Sequence, residues 1–134
     1  MDKLKDILTD IQSICESTPN VNSYRHGNVD DVINLGDVRY SAILSVFENC
    51  QFDMLEDTAA YTFTLFYFDL DVDNTVDIQS HGTQVIFDIL KELETKYRIG
   101  DVVTVRPFER RNAALASGVF AEFRIIVDNS NDCK

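Results

Sequence analysis

The sequence has few of the residues that build metal, redox and disulfide sites. Its 134 residues include three cysteines, which form no CxxC pair, and only two histidines. Structural zinc sites take four Cys or His ligands at short spacings, so the sequence argues against zinc. An odd number of cysteines without a framework spacing favours reduced thiols, as in a protein made in the cytosol.

Basic residues are scarce as well. The chain has 12 Lys and Arg against 23 Asp and Glu, for a net charge of −11 and a pI of about 4.4. This balance argues against a nucleic-acid grip and against adhesion to an anionic membrane, both of which need clustered cations. It suits a protein past which nucleic acid slides without sticking. The sequence also lacks a secretory signal and an apolar run of bilayer length, so we predict a soluble protein.

What is present is a globular balance of 45% hydrophobic and 26% charged residues. We predict a single α+β domain over residues 1–127 and a flexible polar tail over 128–134. Apolar residues at helical spacing predict one helix before Pro19 and a second between Ile78 and Tyr97. Between the first helix and the first strand, residues 19–37 read as a long loop with room for a short strand near Tyr24.

Four segments have the β-branched, aromatic and apolar content of strands: 38–47, 60–72, 101–108 and 118–127. They predict a four-stranded mixed or antiparallel sheet with two helices packed on it. The segment 60–72 is apolar on both faces, with Phe63 and Tyr67 on one and Phe66 and Phe68 on the other. We therefore expect it to be the central strand, covered on both sides. The segment 48–59 is predicted to turn the chain.

An acidic run, DLDVDNTVD over Asp69–Asp77, follows this strand. Its aspartates match four ligand positions of the calcium-loop template D-x-[DN]-x-[DN]-G-x5-E. Asn74 replaces the glycine, however, and Ser80 replaces the bidentate glutamate. The element before the run also reads as a strand where a calcium loop needs a helix. The run therefore favours a strand end followed by a helix that Asn74 or Thr75 caps, and a loose divalent-cation site stays open.

The alternation of the run predicts which way its side chains point. We expect Asp69, Asp71 and Asp73 to form a charged face, while Leu70 and Val72 stay buried on the other face. Arginines gather at the turn between the last two strands, at Arg106, Arg110 and Arg111. In an assembly these arginines would lie opposite the aspartates of a neighbouring subunit, and in a monomer they would be solvated. Both readings stay open.

Catalytic chemistry has little support in the sequence. His26 and His81 are the only histidines, and neither belongs to a recognisable nucleophile motif. Cys15 lies on the apolar stripe of the first helix, and the five glycines are isolated, so no phosphate loop is present. We predict that the chain is not an enzyme, with no catalytic residues, no resident metal and no cofactor.

Four stretches together resemble the tail terminator and tail-completion proteins of tailed bacteriophages. They are the amphipathic LKDILTDIQSI, the segment YRHGNVDDVINLGDVRYSAILSVF, the long strand AYTFTLFYFDLDVD, and the closing strand pair after IFDILKELETKY. The chain is also similar to neck and ring components of crAss-like phages. The closing residues DNSNDCK have no counterpart in that pattern.

The resemblance implies a structural virion protein without enzymatic activity. Such proteins form homo-oligomeric rings in the head–tail connector or at the head-proximal end of the tail, contact portal, neck or tail proteins, and let DNA pass through their lumen. The edge strands and the loop 19–37 are the expected subunit contacts. The alternative is a small soluble binding module with a weak divalent-metal site in Asp69–Asp77, and an enzyme ranks third.

Overall fold

The computed structural model describes residues 3–27, 40–100, 102–109 and 116–128. Within them the chain forms two helices and six strands, which we number in chain order. The helices are α1 (Lys3–Ser17) and α2 (Thr75–Glu94). The strands are β1 (Ser23–Gly27), β2 (Ala42–Asp53), β3 (Thr58–Leu70), β4 (Arg98–Ile99), β5 (Val105–Phe108) and β6 (Ala116–Asp128).

The strands form one open mixed sheet in the order β1-β2-β3-β6-β4, and β5 pairs with β6. β1 runs parallel to β2, whereas every other pairing is antiparallel. The α+β class, the mixed sheet and the two helices are confirmed. The predicted number of four strands is wrong, because β1 and β4 add two. β1 lies where the sequence left room for a short strand near Tyr24, whereas β4, with two residues, is too short for a period-2 pattern.

β3 is the central strand, as its two apolar faces predicted. It pairs with β2 along one side and with β6 along the other over its whole length. Phe63, Leu65 and Tyr67 join the core beneath the helices, while Phe68 belongs to a second cluster on the opposite face. Burial on both faces explains why the sequence reads as a continuous apolar run there.

Both helices pack on the same face of the sheet. α1 buries Ile7, Ile11 and Cys15, and α2 buries a longer stripe that includes Ile86 and Leu93. Gly82 lets α2 approach the sheet closely, since a Cβ there would lie 2.5 Å from the Tyr67 ring. We call this side of the sheet the helix face and the other side the open face, because no described helix residue belongs to the second cluster.

Several predicted boundaries shift. β2 continues to Asp53 through a bulge between Phe47 and Asn49, so residues 48–53 are strand where a turn was predicted. The pairing with β3 holds this polar half of β2 in extended form. β3 ends at Leu70, two residues before the predicted end. The predictions for residues 28–37 of the loop, for most of the link between β5 and β6, and for residues 129–134 of the tail lie outside the described residues.

Candidate functional site

At the acidic end of β3, Asp71 is directed into the protein. It is 7% exposed, and its Oδ2 accepts hydrogen bonds from the hydroxyls of Ser117 at 2.6 Å and Thr75 at 2.5 Å. Its Oδ1 accepts the backbone N–H of Asn74 at 3.2 Å. These bonds join the end of β3, the first turn of α2 and the start of β6. Burying a carboxylate is tolerable when its oxygens are bonded in this way.

The predicted orientation of this run is wrong. Leu70 is 44% exposed and Val72 is 78% exposed, whereas Asp71 is buried. The reason is parity: Tyr67 lies on the helix face, so alternation directs Asp71 toward the helix side, which is the more deeply buried one. Asp73 lies beyond the strand, where the backbone turns with a φ of 66°.

The three aspartates therefore differ in how deeply they are buried and in where they lie along the strand and turn. Asp71 is buried, Asp69 is partly exposed and accepts the N–H of Leu70 at 2.8 Å, and Asp73 is exposed in the turn. Across the described residues, no three His, Cys, Asp or Glu side chains come together as a metal-ion site. The acidic run is the junction between a strand and a helix.

The predicted helix cap lies at the expected position, but it does not form the expected capping hydrogen bond. Asn74 is the residue before the first turn of α2, yet its side chain makes no capping bond. Its Oδ1 accepts the N–H of Val72 at 2.9 Å instead. Asp71, three residues upstream, takes the N–H of Asn74 and the hydroxyl of Thr75. The run thus orders the turn between strand and helix through short-range side-chain bonds.

Arg106, the one described member of the predicted arginine group, lies on the open face. It pairs with Phe120 of β6, which in turn pairs with Phe66 of β3, and residues paired in this way share a face. Asp69 alternates to the helix face, so these two residues lie on opposite sides of the same sheet. Arg110 and Arg111 lie outside the described residues.

Arginine is concentrated in the C-terminal part of the chain. Five of its seven arginines fall between positions 98 and 124. On the open face, Arg106 and Arg124 are exposed beside the ring stack of Phe66 and Phe120, whose centroids are 5.4 Å apart. Glu122, which lies between Phe120 and Arg124 on β6, is exposed on the same face. This region, which we call the arginine–aromatic face, combines half-buried aromatic rings with cations.

Sequence reasoning missed a contact set around Ser45. Its Oγ lies 2.6 Å from the Tyr24 hydroxyl and 3.0 Å from His26 Nδ1. Ser45 is fully buried, so its hydroxyl presents no surface to a substrate. Burial raises the pKa of Tyr24 to about 12, which keeps its hydroxyl protonated. The set therefore ties β1, which contains His26, to β2.

The β2–β3 turn is a second feature that the sequence concealed. Phe52, Met54 and Leu55 are 66%, 87% and 97% exposed. The turn itself is ordered, because Asp53 Oδ1 accepts the N–H groups of Leu55 at 3.1 Å and Glu56 at 3.0 Å. We call residues 52–57 the hairpin tip. Its acidic residues hid its apolar character, since a polar stretch with a DxxED pattern is typical of an ordinary surface turn.

The described part of the chain contains no helix that is long and apolar enough to cross a membrane. In comparisons with known proteins, neither a family model nor a curated protein matches this chain.

Proposed function

We propose that the chain is a structural subunit of a homo-oligomeric ring in a tailed bacteriophage. The ring would stand in the head–tail connector or at the head-proximal end of the tail, in a virion such as that of a crAss-like phage. It would join or cap tail components, contact portal, neck or other tail proteins, and surround the DNA channel. The subunit carries out no reaction and takes no cofactor.

The hairpin tip is the observation that carries this proposal. Large apolar side chains that stand together in water are typical of protein–protein contacts, and a monomer gains nothing from them. At the tip, Met54 and Leu55 are almost fully exposed on a turn that Asp53 holds in place. An ordered apolar turn of this kind suits a subunit whose exposed side chains are buried by neighbouring subunits.

Charge supports the same role. The net charge of −11 gives a ring a negative potential, which repels the phosphates of a passing genome and keeps the DNA mobile. The described edge strands also leave backbone groups for contacts with other virion proteins, since β2 beyond Val46 has no described partner on its β1 side.

The alternative, a binding module with a divalent-metal site in Asp69–Asp77, gains no support from the site geometry. Asp71, which a calcium loop would need as a ligand, is buried and bonded to Ser117 and Thr75. A ligand that already has two hydroxyl donors is poorly placed to coordinate an ion.

Sedimentation velocity and negative-stain microscopy of the purified chain test the proposal. We expect closed rings with a central channel that DNA can pass. Immunogold labelling of virions should place the protein at the neck or the upper tail. A chain that stays monomeric at high concentration, and that is absent from particles, would overturn the proposal.

A further inference from the structure

The hairpin tip and the arginine–aromatic face have complementary chemistry. Residues 52–57 contain three acidic residues and no Lys or Arg, and they present Phe52, Met54 and Leu55 to solvent. The arginine–aromatic face offers half-buried Phe66 and Phe120 with exposed Arg106 and Arg124. An apolar tip with acidic residues matches the two rings and two arginines of this face, among which Glu122 places an exposed carboxylate, and a specific interface would pair the tip with the arginines.

A single chain cannot make this contact with itself. The tip joins β2 to β3, and the ring of Phe66 lies eight residues along β3 from Thr58. At about 3.3 Å per residue, the tip and Phe66 are roughly 26 Å apart along an extended strand. The β2–β3 pairing continues from Ala42 to Asp53, so the tip lies at the far end of a long hairpin from the rings that complement it.

The position of the two surfaces also sets the symmetry of the contact. The tip belongs to the β2 side of the sheet, and Arg106 belongs to the opposite edge, where β5 pairs with β6. A contact between two different patches is heterologous, and such contacts build a ring when the repeated rotation closes and an open filament when it does not. A second copy of this chain therefore supplies what each surface needs.

We propose that the hairpin tip of one subunit docks on the arginine–aromatic face of the next copy, head to tail. Met54 and Leu55 cover Phe66 and Phe120, while Glu56 and Asp57 pair with Arg106 and Arg124. This docking rests on the proposed ring function, to which it adds the contact surfaces and the direction of assembly.

Two variants separate the two surfaces. Met54→Ser with Leu55→Ser removes the apolar tip, and Arg106→Glu with Arg124→Glu reverses the charge of the receiving face. All four side chains are exposed, so the fold should survive, and circular dichroism checks this. The matched control is Val72→Ser with Val76→Ser, which removes two comparably exposed apolar residues at the other end of β3.

We expect each double variant to lower the association constant at least tenfold in sedimentation velocity, while the control assembles like the wild type. Mixing the tip variant with the face variant is the decisive measurement. Each partner retains one intact surface, so the mixture should form one-to-one heterodimers that grow no further.

Three results would overturn the docking. These are normal assembly of the tip variant, a mixture that stays monomeric, and a wild type that stops at a two-fold dimer. The first leaves the ring function standing and removes only this contact. A wild-type chain that never associates removes both proposals.

Discussion

The two ends of the central strand, β3, differ in whether polar or apolar side chains are buried. At the β3–α2 end, a carboxylate is buried and bonded, and Asp71 joins three elements through Ser117, Thr75 and Asn74. At the β2–β3 end, apolar side chains stand in water, and Met54 and Leu55 contribute nothing to the core. A buried polar group holds the fold from inside, whereas an exposed apolar group is available to a partner. The first end is therefore structural, and the second is where we place assembly.

Gly118→Ala should have the largest effect, because it disrupts the structural end. A Cβ at Gly118 would lie 1.7 Å from the backbone oxygen of Tyr67, so β3 and β6 would have to separate. We expect a loss of about 4 kcal/mol in the free energy of unfolding, or failure to fold. Chemical denaturation measures it. Gly100→Ala is the control, since a Cβ there meets nothing within 4 Å. Equal stability of the two variants would contradict the close approach of the strands.

Asp71→Ala comes second. It leaves the fully buried Ser117 hydroxyl without its carboxylate acceptor, and it removes the acceptor of Thr75. We expect a loss of about 2–3 kcal/mol by urea denaturation, with a smaller loss for Asp71→Asn, which keeps one oxygen. Asp77→Ala, an exposed residue in the first turn of α2, should cost about 0.5 kcal/mol. A loss for Asp71→Ala no greater than that of Asp77→Ala would show that the buried carboxylate does not hold this end together.

Alkaline pH tests a region that belongs to neither end. Burial on the core-facing side of α1 raises the pKa of Cys15 from 9.0 to about 12. The unfolded chain therefore loses this proton first as pH rises, and the folded state binds more protons between pH 9 and 12. Stability should fall with rising pH in that window, by at most about 1.4 kcal/mol per pH unit from this group.

Thermal unfolding from pH 8 to 11 measures this slope, and Cys15→Ala should flatten it while it lowers the stability at neutral pH. Because other buried hydroxyls, Tyr24 among them, titrate in the same direction, the slope should not vanish. An unchanged slope in Cys15→Ala would mean that the thiol does not contribute.

The smallest effect on stability should come from the hairpin tip. Met54→Ser with Leu55→Ser removes no buried contact, so we expect the unfolding free energy of the monomer to change by less than about 0.5 kcal/mol. Chemical denaturation under dilute, monomeric conditions measures this. A loss as large as that of Asp71→Ala would show that the tip supports the fold, and the contrast between the two ends would disappear.

Much of the architecture follows from the sequence, because its long elements carry strong periodicity. The two helices can be predicted because apolar residues recur at helical spacing over 15 or more residues. The central position of β3 can be predicted because both of its faces are apolar. β4 escapes prediction because two residues have no period. The polar half of β2 escapes it because pairing with β3 sets its conformation, and the local sequence resembles a turn.

The candidate site was harder to predict than the fold. The expectation that aspartates face water misplaced Asp71, because two local donors, Asn74 and Thr75, and one distant donor, Ser117, make its burial tolerable. The exposed tip escaped notice for the opposite reason, as its acidic residues masked Met54 and Leu55. In both cases composition gave the average polarity of a segment, whereas function depends on which side chain of the segment faces outward.

The bulge in β2 has a consequence for what can pair with the edge of the sheet. Beyond Val46, this strand has no described neighbour on its β1 side, and a straight bare edge would add strands from other molecules without limit. The extra residue, Glu48, increases the twist of that edge, and its carboxylate accepts the hydroxyl of Thr64 on the neighbouring β3 at 2.6 Å. A shape-specific contact between side chains stops when a ring closes, but backbone pairing along a bare edge leads to amyloid-like fibres. The bulge thus makes this edge a poorer template for continuous strand addition than a straight edge would be.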